Sequence, residues 1–278
     1  MKWIAGIFFL PIFALAQGQN VDISTFYGAS GYLQAYASIE GENPVSVNRV
    51  HDFLDQLAEK KEKFKNEKAF LEHVFLKTHQ RLLKNYKEKA TFKDLLVNGN
   101  YNCLTASALY ALILEHFNFN YKIIETNYHI FLLAETSNGT ILLESTDPLQ
   151  GFVFKKQEIE KRIVQYRQNL QTESNKNKTY YRYNTSLYNS IDLNNLHGLL
   201  YYNLAVEAFN NQDLFSAVGY FEKACLFYKS QRITEFSKLI TLALLESAIK
   251  TDIRERLLRR IQSIESHELP AVASLKKF

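Results

Sequence analysis

The sequence predicts an α+β chain, with a cysteine-headed helix lying on an antiparallel sheet and an all-helical region after it. Three observations predict this. From residue 103 to 117 the chain reads CLTASALYALILEHF, and its apolar residues cover nearly the whole circumference of a helix, as in a helix that is central and buried. Three short segments follow, YKIIET, HIFLLAE and TILLES, the aliphatic and β-branched composition of core strands. Beyond Leu196 the pattern is helical to the end of the sequence, apart from Pro270.

Taken in order, the chain opens MKWIAGIFFLPIFALAQGQN, with Lys2, an apolar run from Trp3 to Leu15, and Ala16 before polar Gln17. That order predicts an export signal over residues 1–16, since the run falls short of the ~20 apolar residues of a spanning helix. A retained anchor is the alternative. No later stretch is long and apolar enough to cross a bilayer, so the expected product has no stable membrane span after cleavage and is periplasmic or secreted. Residues 17–47 carry Gly28, Gly31, Gly41 and Pro44 without a firm period and read as an irregular lead-in. A first folded domain is expected over 48–155. It begins with two amphipathic helices, because Phe53, Leu54, Leu57, Phe64, Phe70, Leu71, Val74, Phe75, Leu82 and Leu83 recur at helical spacing. The run EKKEKFKNEK alternates in sign and reads as a solvated helix face.

The totals exclude some classes. With 33 basic and 29 acidic residues interleaved, the net charge of +4 makes no case for nucleic acid as a partner. Two cysteines, Cys103 and Cys225, are too few for a disulfide scaffold, although they allow a single bridge. Cys225 lies in AVGYFEKACLFY, an amphipathic pattern in which cysteine acts as a small apolar residue.

The turn-rich VNGNYN leads into the cysteine helix, and Ser137-Asn138-Gly139 between the last two strands is a tight-turn signal for an antiparallel hairpin. Residues 156–195 turn polar and read as a linker with a helical start. In the region 196–278, LYYNLAVEAFNNQDLFSAVGYFEKACLFY resembles a tetratricopeptide repeat. Leu204, Ala205, Ala217, Phe221 and Ala224 stand at that repeat's packing positions, while Ala208 replaces its usual aromatic and Gln212 its usual glycine. One repeat cannot bury its own face and must stack on neighbouring helices.

Cys103 is the candidate nucleophile. A free thiol titrates near ~8.5, and a helix N-terminus favours the thiolate through unpaired amides and the macrodipole. Asn102 before it is a suitable cap. Of seven histidines, His129 is the one on a core strand downstream of that helix, and it is the candidate base. An acidic side chain on the next strand would orient the ring; TILLESTDP offers Glu144 and Asp147. His129 and Glu144 are not equidistant from the turn, so a bulge or a longer register is expected. A metal site from His129, Glu144 and Asp147 lacks recognisable ligand spacing, and no cofactor is called for.

GNYNCLTASALYALIL, YHIFLLAE and ILLEST together resemble the transglutaminase-like superfamily of papain-like cysteine enzymes, over roughly residues 65–155. The resemblance implies Cys103 as nucleophile, His129 as general base and acid, and Glu144 as the orienting residue, where the family usually carries aspartate. It implies acyl transfer, by hydrolysis or cross-linking, with the Cys103 amide and a side chain such as Asn102 or Asn100 at the oxyanion. Its rival is an inactive module serving, with the helices, as a scaffold. Protein or peptide partners are expected under both readings.

Overall fold

The chain places its most apolar helix at the centre and covers it on every side. The computed structural model describes residues 28–41, 45–167 and 187–267, and the export-signal reading falls outside them. The described chain opens with α1 (Ala29–Ala37), α2 (Asn48–Lys61) and α3 (Glu67–Arg81), the last begun by Asn66, whose side chain accepts from the Ala69 amide. The two-residue strand β1 (Asn85–Tyr86), α4 (Phe92–Asn98) and β2 (Asn100–Tyr101) follow, β1 pairing in parallel with β2. Next come α5 (Cys103–His116), β3 (Asn120–Thr126), β4 (Ile130–Thr136), β5 (Gly139–Leu143) and β6 (Phe152–Val153). The remainder is α6 (Lys156–Arg167), β7 (Tyr188–Ile191), α7 (Leu193–Asn210), α8 (Leu214–Phe227), α9 (Gln231–Glu246) and α10 (Thr251–His267). The fold is thus α+β, built on a five-stranded antiparallel sheet in the order β6-β5-β4-β3-β7.

Period-two alternation divides that sheet between two helices. Ile123, Ile130, Leu132, Ala134, Ile141 and Leu143 join the main core with α5. Ile124, Phe131 and Leu142 point the other way and pack with Ile159 of α6. Between Leu104 and Leu114 every residue of α5 is buried.

Two sequence readings need correction. The stretch read as an irregular lead-in contains α1, with Tyr32, Leu33, Tyr36 and Ala37 buried on one stripe and the Tyr36 hydroxyl donating to the Leu193 carbonyl at 2.5 Å. The stretch read as a linker contains α6, which covers the sheet, and β7, which extends it beside β3. The C-terminal helices share one continuous core with the cysteine helix, because buried residues from Tyr32 to Ile261 form a single cluster. Cys103 and Cys225 are not joined in a disulfide, and Cys225 is buried.

Helices α7 and α8 form an antiparallel pair with Ala205, Ala217, Phe221 and Ala224 buried. Gln212 in their connection has φ of 62°, the left-handed geometry that glycine adopts without cost. At Gly198 the helices touch backbone to backbone, since an added Cβ would lie 2.3 Å from Tyr228 Cβ and 2.8 Å from its amide nitrogen. Gly198→Ala is therefore expected to lower stability by about 1–3 kcal/mol, the range for overpacking a tight core, measured as a reduced midpoint in urea unfolding.

Candidate active site

The chain from β2 into α5 fixes where the Cys103 sulfur can be. Asn102 is the N-cap in extended backbone geometry; its Oδ1 accepts from the Thr105 amide at 2.9 Å, and its own amide donates to Thr105 Oγ1 at 2.9 Å. This reciprocal capping box satisfies two groups at the helix start, and such caps contribute roughly 1 kcal/mol each. The Asn102 Nδ2 donates to the carbonyls of Glu88 and Ala90, each at 3.0 Å. Cys103 is the first residue of the helix, half-buried, at the positive end of the macrodipole.

His129 follows a four-residue turn out of β3. The Thr126 amide and hydroxyl both donate to the His129 carbonyl, at 2.8 and 3.0 Å, and the His129 amide donates back to Thr126 Oγ1 at 3.1 Å. The ring emerges between the sulfur and a carboxylate. Its Nε2 lies 2.5 Å from Glu144 Oε2, and the Cys103 side chain is near enough to help raise its pKa.

No bulge is required to bring His129 and Glu144 together. Leu132 faces Leu143 and Thr136 faces Gly139, so the ladder carried onward sets Glu144 opposite Phe131, two residues from His129 on the same face. A long side chain spans that diagonal.

Glu144 is 3% exposed and almost fully engaged. Oε2 takes the His129 ring and the Tyr166 hydroxyl at 2.7 Å; Oε1 accepts from the Thr146 amide at 3.0 Å and the Thr146 hydroxyl at 2.6 Å. Burial alone would raise this carboxyl, but His129 and the Thr146 donors outweigh it and bring it down to about 2. Burial likewise pulls His129 down and is overcome by hydrogen bonds and charge from Cys103 and Glu144, which push the imidazole up to about 10. The arrangement is a buried imidazolium–carboxylate pair.

Chain-specific comparison adds nothing to this geometry. No protein-family model, curated protein or solved structure matches the chain. The site is therefore read from its own atoms.

Asp147, the other acidic candidate, is turned away. Its Oδ2 lies 3.5 Å from Arg162 Nη1, and its Oδ1 accepts from the Gln150 amide at 2.9 Å. The Asn102 carboxamide is spent on the cap and on two loop carbonyls, so as an oxyanion donor it is a misreading. Asn100 accepts from Asn85 Nδ2 at 3.4 Å across the β1–β2 ladder. Among the described residues no group of His, Cys, Asp and Glu could hold a metal ion.

Several participants had no local signal in the sequence. The Tyr166 ring packs at 4.9 Å from both His129 and Phe131, so α6 roofs the imidazole. Ser107 of α5 donates to the Ile130 carbonyl at 3.2 Å and lies 3.3 Å from Ser145 Oγ, which reaches the Cys103 carbonyl at 3.5 Å. These two hydroxyls tie together the chain next to all three site residues. The Tyr86 hydroxyl is pushed up to about 12 by desolvation and by the neighbouring Cys103, Glu88 and Glu144, although the residue is 53% exposed. A cavity of about 540 Å³ opens beside the cap, walled by Ala90, Phe92, Asn102, Thr105, Leu204 and Glu207.

The pair sets a pH signature. Glu144, depressed from 4.5, gives stability that is complete above its unfolded value and is lost as pH falls towards about 2. His129, raised from 6.5, gives stability that is complete below its unfolded value and is lost as pH rises through about 10. The destabilisation by Glu144→Gln should therefore be greatest between pH 4.5 and 6.5, on the order of 3 kcal/mol for breaking a buried pair. It should shrink towards both extremes in urea denaturation across pH.

Proposed function

We propose that this chain is a cysteine acyl-transfer enzyme of transglutaminase-like type, acting outside the cytoplasm on a protein or peptide amide. The observation that carries this reading is the His129–Glu144 pair, bonded at 2.5 Å, beside Cys103, whose sulfur stands at the start of a buried helix. Attack needs the Cys103 sulfur without its proton, and His129 is the neighbouring base that can hold that proton. The extracytoplasmic part rests on the leader-like residues 1–16.

In the reaction, the Cys103 sulfur bonds to the acyl carbon and the carbonyl π pair moves to oxygen. The Cys103 and Leu104 amides, ahead of the Thr105 amide that the cap takes, face that charge, and the Tyr86 hydroxyl is a second donor. Collapse breaks the carbon–nitrogen bond, His129 gives its proton to the leaving amine, and a thioester remains. Water or a second amine then attacks the thioester carbon and gives a proton to His129, and the carbon–sulfur bond breaks, releasing the acid or the new amide and returning the Cys103 thiolate. Glu144 holds the ring in register and stabilises its charged form, a role that needs a fixed carboxylate and no proton transfer.

A second reading, a protein-binding scaffold, draws on Phe215, Leu226, Leu242 and Leu245, large apolar side chains exposed on α8 and α9. One experiment separates the two. Iodoacetamide at near-neutral pH should alkylate Cys103 well ahead of Cys225, and His129→Gln should slow Cys103 by tenfold or more. Wild-type protein should release fragments from casein or couple dansylcadaverine to it, and Cys103→Ser should do neither. Equal sluggishness of both thiols, with no turnover, would leave the scaffold.

A further inference from the structure

The helical region reaches the turn that carries His129. Arg232, in the first turn of α9, is 13% exposed through its side chain, and its Nε donates to Glu125 Oε1 at 2.9 Å. Its Nη2 donates to the carbonyls of Thr126 and Asn127 at 3.0 and 3.2 Å. Those carbonyls belong to the turn that ends at His129. The Tyr228 hydroxyl, at the end of α8, donates to the other oxygen of Glu125 at 2.5 Å. From the opposite flank, the Leu187 amide ahead of β7 donates to Asn127 Oδ1 at 2.5 Å.

We propose that Arg232 is a positioning residue for His129, and that the α8–α9 corner is thereby a built-in part of the acyl-transfer site and not a separate adaptor. The proposal rests on the catalytic reading above for its meaning, but its geometry stands alone. The turn's own hydrogen bonds join its two ends, Thr126 and His129, and the imidazole must meet a sulfur on one side and a carboxylate on the other. The guanidinium fork spans three acceptors at once, a carboxylate and two successive carbonyls, and so fixes both the end of β3 and the plane of the turn. Burying an Arg–Glu pair is weak evidence for stability, because desolvation cancels most of the attraction. Orientation of a neighbouring group explains its presence better. Lysine could not replace it, since a single ammonium lacks the planar fork.

The test follows His129 directly in protein carrying labelled histidine. Its imidazole resonances, identified by their loss in His129→Gln, are titrated in wild type, R232K and Arg232→Met, together with the rate of Cys103 alkylation by iodoacetamide. Arg232→Lys should keep the far-UV spectrum, lower the His129 midpoint by about one pH unit, a tenfold change in protonation equilibrium, and slow alkylation by about tenfold. The downfield imidazole N–H resonance should weaken. Glu222→Gln, which breaks the Arg260–Glu222 pair elsewhere among these helices, is the control and should move none of these. Should both arginine variants be too unstable to isolate, Tyr228→Phe removes one hydroxyl and no charge, and should shift His129 in the same direction by less. Folded variants with an unmoved His129 midpoint and unchanged alkylation would overturn the proposal. A wild type without turnover leaves these resonances readable, so failure of the catalytic reading and failure of the positioning role are separate results.

Discussion

A helix with no polar face cannot border water, and the rest of this fold is arranged around that constraint. Helix α5 is buried from Leu104 to Leu114, so sheet, N-terminal helices and C-terminal helices must all lie against it. Each side chain of this kind contributes about 1.5–3 kcal/mol when removed from water, far more than the surface ion pairs of the outer helices. Only the ends of such a helix can be accessible, and its first residue is a cysteine. The sulfur therefore sits at a point that is rigid, half-buried and electropositive, three conditions that follow from one apolar run and one cap.

The other two candidate groups arrive from the sheet by the same logic. Faces of β4 and β5 alternate between α5 and α6, and at the strand ends the alternation puts His129 and Glu144 on the α6 side, where Tyr166 closes over both. The site thus forms at the seam between the two packing layers. Ser107 and Ser145 sew that seam one residue away from His129 and Glu144 and four from Cys103. Polar groups this deep are costly unless satisfied, and the carboxylate of Glu144, with donors on both oxygens, meets that requirement.

The C-terminal helices have a double relation to this centre. Through Leu196, Leu199 and Leu200 of α7 they cover α5 as ordinary core. Through Arg232 and Tyr228 they grip the end of β3 by its only buried carboxylate in that strand, Glu125. Apolar contact alone would leave the sheet free to slide by small amounts under the helices. The ion pair supplies direction, which hydrophobic burial does not.

Much of this was legible in the chain itself. All-round hydrophobicity marked α5, β-branched runs and Asn138-Gly139 marked the hairpin, and the order of Cys103, His129 and the acidic pair singled out the candidate site. Local periodicity is enough for such features because they depend on neighbours within a few residues. The tertiary structure decided what local pattern cannot carry. It chose Glu144 over Asp147 by strand diagonal and by the competing Arg162. It diverted the Asn102 carboxamide into the cap, and turned a supposed linker into the roof and an edge strand of the sheet. Tyr166, Tyr228 and Arg232 lie 22, 103 and 107 residues from the carboxylates they bind, and hydrogen bonds across such separations exist only once the core has brought their backbones together.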